Sequence, residues 1–204
     1  MAHRGGTVTG NVYDKYGSRN PVARWLMGGF HRQLARLLAA TEAPGRVLEV
    51  GCGEGHITQF VHDRLPQAEL FALDLDAELV GQTEGRCPQA QCVVGDAQAL
   101  PWPDGHFDLV LGIEVLEHVP DPTRAVAEMA RVSRRYIIAS VPNEPLWRML
   151  NLARGAYIAR LGNTPGHINH WGARGFRRLV ERHFDIIDLA RPLPWLMALG
   201  RKRG

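Results

Sequence analysis

The chain has 204 residues, 45% of them hydrophobic and 22% charged, with a formal net charge of +3. That length suits one domain around a single core, and the composition excludes a wholly disordered chain, a collagen and a coiled coil. No apolar run reaches the ~18 residues that a membrane-spanning helix needs, and Met1–Gly10 lacks the apolar stretch of a secretory leader.

Three cysteines, Cys52, Cys87 and Cys92, are too few and wrongly spaced for a disulfide framework or a cysteine zinc site. They point to a reducing compartment, so a cytoplasmic protein is expected. Charge is uneven along the chain. Residues 1–130 carry 10 basic and 17 acidic side chains, a net of −7; residues 131–204 carry 14 and 4, a net of +10. Either the basic third faces an anionic partner or its arginines form a solvated surface.

In chain order, Pro21 to Ala40 reads as a helix, with Pro21 suited to its first turn and Trp25, Leu26, Phe30, Leu34, Leu37 and Leu38 at helical spacing. Arg46–Gly51 then reads as a strand, His56–Arg64 as a helix, Leu70–Asp74 as a strand and Ala77–Arg86 as a helix. Cys92–Val94 and Phe107–Ile113 follow as strands, Pro122–Ser133 as a helix and Arg135–Ser140 as a strand. This alternation predicts an α/β fold, a mostly parallel sheet with helices on both faces. The alternation stops after Pro142. Residues 142–171 read as an insertion with one helix, Leu146–Ala159. A helix over Ala173–His183 and strands over Phe184–Ala190 and Trp195–Leu199 complete the chain. Pro192 and Pro194 predict a tight hairpin at the sheet edge.

The segment with chemical content is Glu49-Val50-Gly51-Cys52-Gly53-Glu54-Gly55, a strand running through glycines into a helix. Glycines let the backbone approach a ligand closely, and in an open parallel sheet ligands lie beyond the carboxyl ends of the strands. His56 stands where a dinucleotide fingerprint needs a small residue, and no lysine follows as in a phosphate loop. Glu49 and Glu54 disfavour pyrophosphate by charge. A ligand carrying a sulfonium, an ammonium and a ribose diol, S-adenosylmethionine, fits better.

These residues resemble the class I S-adenosylmethionine-dependent methyltransferases of the type-11, ubiquinone-biosynthesis-like group. VLEVGCGEG, ALDLD, VVGDAQALPWPDGHFDLVL and GIEVLEHVPDP resemble four family motifs, in family order, across residues 46–141. The resemblance implies a Rossmann-like, doubly wound, seven-stranded sheet with an antiparallel final strand, in a single methyltransferase domain over 1–204. Within it, 1–40 would form an N-terminal lid and helix, 46–141 the cofactor core, 142–171 an acceptor-pocket insertion and 172–204 a C-terminal helix and hairpin. It places Glu49, Gly51, Cys52, Gly53, Asp74, Leu75, Asp96, Ala97, Ile113 and Glu114 at the cofactor. Asp74 would take the ribose hydroxyls, Asp96 the adenine amino group, the Ala97 backbone would donate to adenine, and Ile113 and Glu114 would line the sulfonium. Asp74 and Asp96 are also ordinary turn formers. Asp76, where the family often has serine, and His56 depart from the pattern.

On the acceptor side, His118, His167 and His170 are candidate catalytic bases, needed only if the acceptor must lose a proton. His118 also suits a structural place beside the cofactor, and His167 and His170 also suit satisfying a long loop. No carboxylate or cysteine lies near His167 and His170 in the sequence, so no metal is expected. Asn11–Tyr16 resembles a lid. The acceptor is expected to be a small molecule, with Trp147, Tyr157 and Trp171 suited to an aromatic, isoprenoid or glycan-linked group and the arginines to an anionic one. The alternatives are a nucleic-acid methyltransferase, which the basic third favours, and a cofactor-binding protein without chemistry. Pro194–Arg203 reads either as an edge strand with a charged tail, the preferred reading, or as a peripheral membrane contact.

Overall fold

The computed structural model describes residues 20–203, together with the backbone of His3–Arg4 and Thr7–Val8, which pair antiparallel. The expected lid at Asn11–Tyr16 lies outside the described residues.

Seven strands form one sheet: β1 (Arg46–Val50), β2 (Glu69–Asp74), β3 (Gln91–Val94), β4 (Phe107–Ile113), β5 (Ser133–Pro142), β6 (Phe184–Ala190) and β7 (Trp195–Lys202). Their order is β3-β2-β1-β4-β5-β7-β6. Pairings among β1 to β5 are parallel, and β7 runs antiparallel to both β5 and β6. The doubly wound sheet expected from the motifs is the sheet found. Strand order reverses between β1 and β4, and in open α/β sheets ligands bind beyond the carboxyl ends of the strands at such a point. Among the described residues, no helix is long and apolar enough to cross a membrane.

Every residue of β4 is buried, as in a strand covered on both faces. Leu109 and Leu111 pack with Phe30, Leu34 and Leu37 of α1 (Pro21–Ala39); Val110 packs on the opposite face with Val126 and Met129 of α4 (Pro122–Val132). Full burial of each such side chain contributes ~1.5–3 kcal/mol. Asn20 caps α1, its Oδ1 accepting from Val22 N at 2.9 Å. Trp25, assigned by spacing to the apolar stripe, is exposed: it lies about 200° round the helix from buried Met27.

The insertion helix α5 (Leu146–Ala153) stops short of Ala159. Gly155 at φ +71° and Tyr157 at φ +56° take left-handed backbone, and the chain turns into a 3-10 turn over Ile158–Arg160. The last helix, α6 (Ala173–Val180), also ends before His183.

A second correction concerns Pro194–Arg203. Strand β7 is neither an edge strand nor an interfacial segment. It runs between β5 and β6, with Trp195 through Gly200 buried, so its apolar run fills both layers of the core. On that side of the sheet the edge strand is β6. The charge asymmetry is also partly internal. Arg131 reaches Asp104 at 3.0 Å, Arg134 pairs with Asp108 and Arg135 with Glu42, so basic residues of the last third neutralise acids of the first two.

Candidate active site

The turn after β1 is built by its own amides. Gly51 N and Cys52 N both donate to Leu73 O, at 2.7 and 3.0 Å; Gly53 N donates to Asp74 Oδ2 at 2.9 Å, and Gly55 N to Cys52 O at 3.0 Å. A phosphate cradle needs such N–H groups free to point at the anion. Here they are spent on the chain, which removes pyrophosphate as a fitting ligand. Gly51 has φ +75°, and a Cβ on it would come within 2.6 Å of Val115 Cγ2, so glycine is required there. A Cβ on Gly53 (φ +55°) would meet nothing within 4 Å, so that side of the turn is open.

Asp74 ends β2 beside this opening. Its Oδ1 accepts from Asp76 N at 3.0 Å, and burial raises its pKa above the usual carboxylate range. Each carboxylate oxygen has a second lone pair, so the group retains capacity for a diol. Leu75 follows it, half-buried. Asp96 is exposed at the end of β3, where its Oδ1 also accepts from Gln98 N at 2.8 Å; Ala97 beside it is buried. Glu49 lies behind the glycine turn. It is fully buried, accepts from Thr58 Oγ1 at 2.5 Å and thereby ties β1 to α2 (His56–His62). Burial raises its pKa to about 8, and the bond from Thr58 only partly offsets this. Cys52 is buried against Thr83, and burial pushes its thiol pKa up, which makes it inert. A turn that rejects phosphate, an open glycine side and a carboxylate at the end of β2 form a donor set that fits a cationic adenosyl ligand.

Beyond β4 the chain runs into a turn that packs against the insertion. Ile113 is buried. Glu114, at φ +57°, accepts from Ser140 Oγ at 3.1 Å and from Trp195 Nε1 at 2.7 Å. Ring contacts then continue outward: Trp195 to Trp147 at 5.7 Å, Trp147 to His167 at 6.0 Å, His167 to His118 at 5.0 Å. The insertion is clamped onto the turn after β4. Asn169 Nδ2 donates to Leu116 O and Val119 O, at 3.2 and 2.7 Å, while Ile168 N and Asn169 N donate to Glu117 O.

His118 and His167 are thus brought together, and His170 is not. His170 is exposed, its Nε2 3.0 Å from Arg148 Nη2 and 2.8 Å from Asn163 Oδ1. Burial, then the Arg148 charge, lowers its pKa. No carboxylate neighbours His167 or His170 along the chain, but the sheet brings one from a distant segment. The fold delivers Glu117, buried beside both His118 and His167. Trp195, Ser140 and Glu117 are site residues that sequence reasoning missed. Glu117 stands in the Glu-His dipeptide, but no local pattern marks Trp195 or Ser140.

Residues 48–136 match the type-11 family model, described as a methyltransferase domain. The chain carries a type-11 methyltransferase domain. This is the family that the motifs resembled. The malonyl-[acyl-carrier protein] O-methyltransferase of Halorhodospira halophila is 35% identical over 105 residues, 50% of this chain and 36% of that protein. The ubiquinone biosynthesis O-methyltransferase of Methylococcus capsulatus is 30% identical over 158 residues, 67% of this chain and 65% of that protein. The chain therefore spans well under the full length of these curated relatives. The solved magnesium protoporphyrin IX methyltransferase of Synechocystis PCC 6803, with bound SAH, has the same fold. It superposes with a TM-score of 0.69 at 19% identity, over 92% of this chain and 90% of that one. The family match of the methyltransferase domain ends within β5, before the insertion begins.

Proposed function

We propose that this chain transfers a methyl group from S-adenosylmethionine to a small-molecule acceptor, at oxygen, nitrogen or carbon. The observation that carries the reading is the turn after β1. Its amides are spent internally, its Gly53 side is open, and the Asp74 carboxylate stands at its rim. S-adenosylmethionine, when bound, supplies a methyl group already activated by its sulfonium. The chain's work is then to bind, orient and exclude water.

In this reading Asp74 accepts the ribose hydroxyls, with the main chain at Leu75 alongside. Asp96 and the backbone of Ala97 hold the adenine. Gly51, Cys52 and Gly53 let the main chain lie close to the amino-acid end, and Glu49 acts from behind by fixing β1 to α2. Ile113 and Glu114 border the sulfonium. Glu114 keeps a negative charge near that cation while Ser140 and Trp195 hold it in place.

The acceptor would lie against Trp147 and Trp195, with His118 and His167 as the polar groups nearest it. Met149, Leu152, Ile158 and Leu161 are exposed on the same insertion, which suits an acceptor with an apolar body. His170, held by Arg148 and Asn163, is assigned to the loop rather than to the chemistry.

The test is calorimetric titration of the full chain with S-adenosylmethionine and, separately, NAD. It is followed by labelled methyl transfer to a panel of phenolic, carboxylated and isoprenoid acceptors. Binding of S-adenosylmethionine alone, then label in one acceptor class, is expected. Binding of NAD instead would overturn the reading. S-adenosylmethionine binding without transfer to any acceptor would favour a cofactor-binding protein without chemistry.

A further inference from the structure

We propose that Glu117, His118 and His167 form a binding site for a divalent transition-metal cation on the acceptor side of the crevice. The site itself stands on these three side chains; only its use on an acceptor rests on the methyltransferase reading.

One ligand atom from each of the three lies within 4.8 Å of the other two. Among the described residues, no other three histidine, cysteine or carboxylate side chains converge in this way. Donors at ~2.1 Å around a common cation stand roughly 3–3.5 Å apart, so small rotations within the cluster would close it. Glu117 and His167 are buried and His118 is half-buried. A buried carboxyl either keeps its proton, as Glu49 does, or ionises beside positive charge, which a protonated imidazole or a cation can supply.

The hydrogen bonding of His118 is compatible with a cation at Nε2. Its Nδ1 lies 3.0 Å from Gly166 O, and a carbonyl oxygen only accepts, so Nδ1 carries the proton. In the neutral ring Nε2 then keeps its lone pair. This is the arrangement by which metal-binding histidines are oriented. His167 is held in turn by the edge of the His118 ring and the near-parallel face of Trp147. The two segments that supply the ligands are joined by backbone bonds to Glu117 O and by the Asn169 side chain, so the cluster does not depend on loose loops meeting.

Two imidazoles and one carboxylate suit Zn2+, Fe2+ or Mn2+ better than Ca2+, which takes an all-oxygen shell. Three protein ligands leave coordination positions open, as in reactive rather than structural sites. On this side of the crevice the open positions would take an oxygen donor of the acceptor. That narrows the acceptor class to hydroxylated or carboxylated molecules.

The experiment uses the full chain without an affinity tag, stripped with a chelator and titrated with Zn2+ and Mn2+ alone. Bound metal is counted by mass spectrometry, and the visible spectrum is recorded after Co2+ addition. About one equivalent is expected, with His167→Ala and Glu117→Gln each weakening binding ~100-fold or more. His170→Ala, outside the cluster, should keep the equivalent. A stripped chain that takes up no metal, or a His167→Ala chain that binds as tightly as wild type, overturns the site and leaves Glu117 paired with a protonated imidazole. S-adenosylhomocysteine titration and thermal unfolding of the same variants show whether any loss is a folding defect. If S-adenosylhomocysteine fails to bind the wild-type chain while metal binds, the methyltransferase reading falls and the cation site stands.

Discussion

Around the glycine turn, backbone amides hold the structure: four of them donate to Leu73 O, Asp74 Oδ2 and Cys52 O, all within two neighbouring strand ends. Around the insertion, side-chain amides add to backbone bonds such as those from Ile168 N and Asn169 N to Glu117 O. Asn169 grips Leu116 O and Val119 O, and buried Asn151 donates to Gly162 O at 2.8 Å and to Thr164 Oγ1 at 3.2 Å. The first region joins two adjacent parallel strands about twenty residues apart and lies wholly inside the family match. The second draws its donors from residues beyond that match, and Asn169 reaches back about fifty residues to Leu116 and Val119 within it. A binding turn made of backbone tolerates few changes of shape. A pocket made of side-chain staples can be refitted to a new acceptor while the sheet beneath it stays the same.

The sharpest way to break this contrast is Gly51→Ala. A methyl group there meets Val115 and needs φ +75°, so a loss of ~3 kcal/mol or more in denaturant unfolding is expected, together with loss of S-adenosylhomocysteine binding. Near wild-type stability would show that the turn is less constrained than its geometry says. Asp74→Asn should act on the ligand instead. It keeps the shape of the side chain but removes its charge and puts an NH2 group opposite either Gly53 N or Asp76 N; calorimetry should read an affinity for S-adenosylhomocysteine lowered at least ~10-fold, with a stability loss of ~1–2 kcal/mol.

Glu49 gives the backbone region a pH signature. The folded chain keeps this carboxyl protonated up to about pH 8, whereas the unfolded chain releases the proton in the ordinary carboxylate range. Its contribution to stability is therefore complete below that range and lost as pH rises toward 8. Melting curves across that window should show the decline in wild type and a smaller one in Glu49→Gln. Parallel curves would mean that Glu49 is ionised in the fold.

Asn169→Ala tests the other region. Losing two hydrogen bonds to buried carbonyls should cost ~1–2 kcal/mol and increase hydrogen exchange in 142–171, with S-adenosylhomocysteine affinity unchanged. An equal loss of cofactor affinity would show that the two regions fold as one. The smallest effect is expected from His170→Ala, whose exposed ring touches Arg148 and Asn163: stability should stay within ~0.5 kcal/mol and cofactor affinity within about twofold.

The strands and helices of residues 46–141 were legible because each is a short apolar run or stripe bounded by glycine, proline or aspartate. Pro122 behind its cap Asp121 is one such boundary, and the GCGEG turn is another. The insertion was legible only as a break in the alternation. A helix through Ala159 overruns Gly155, whose left-handed φ of +71° follows the end of α5 and is a stop signal the sequence does show; left-handed Tyr157 beyond it carries no such signal. Strand β7 was misplaced because an apolar run ending in Arg-Lys-Arg looks the same at an edge, at a membrane or between two strands.

The sequence by itself determined the order of elements, the glycine turn and the acids beside it, because those depend on neighbours a few residues apart. Only the tertiary structure decided that His118 meets His167 rather than His170 meeting it, that Glu117 joins them, and that Trp195 holds Glu114 from inside the sheet. Those pairings arise where separate loops converge above β4, β5 and β7. Convergence of that kind is fixed by the packing of the whole sheet and leaves no periodicity in the chain.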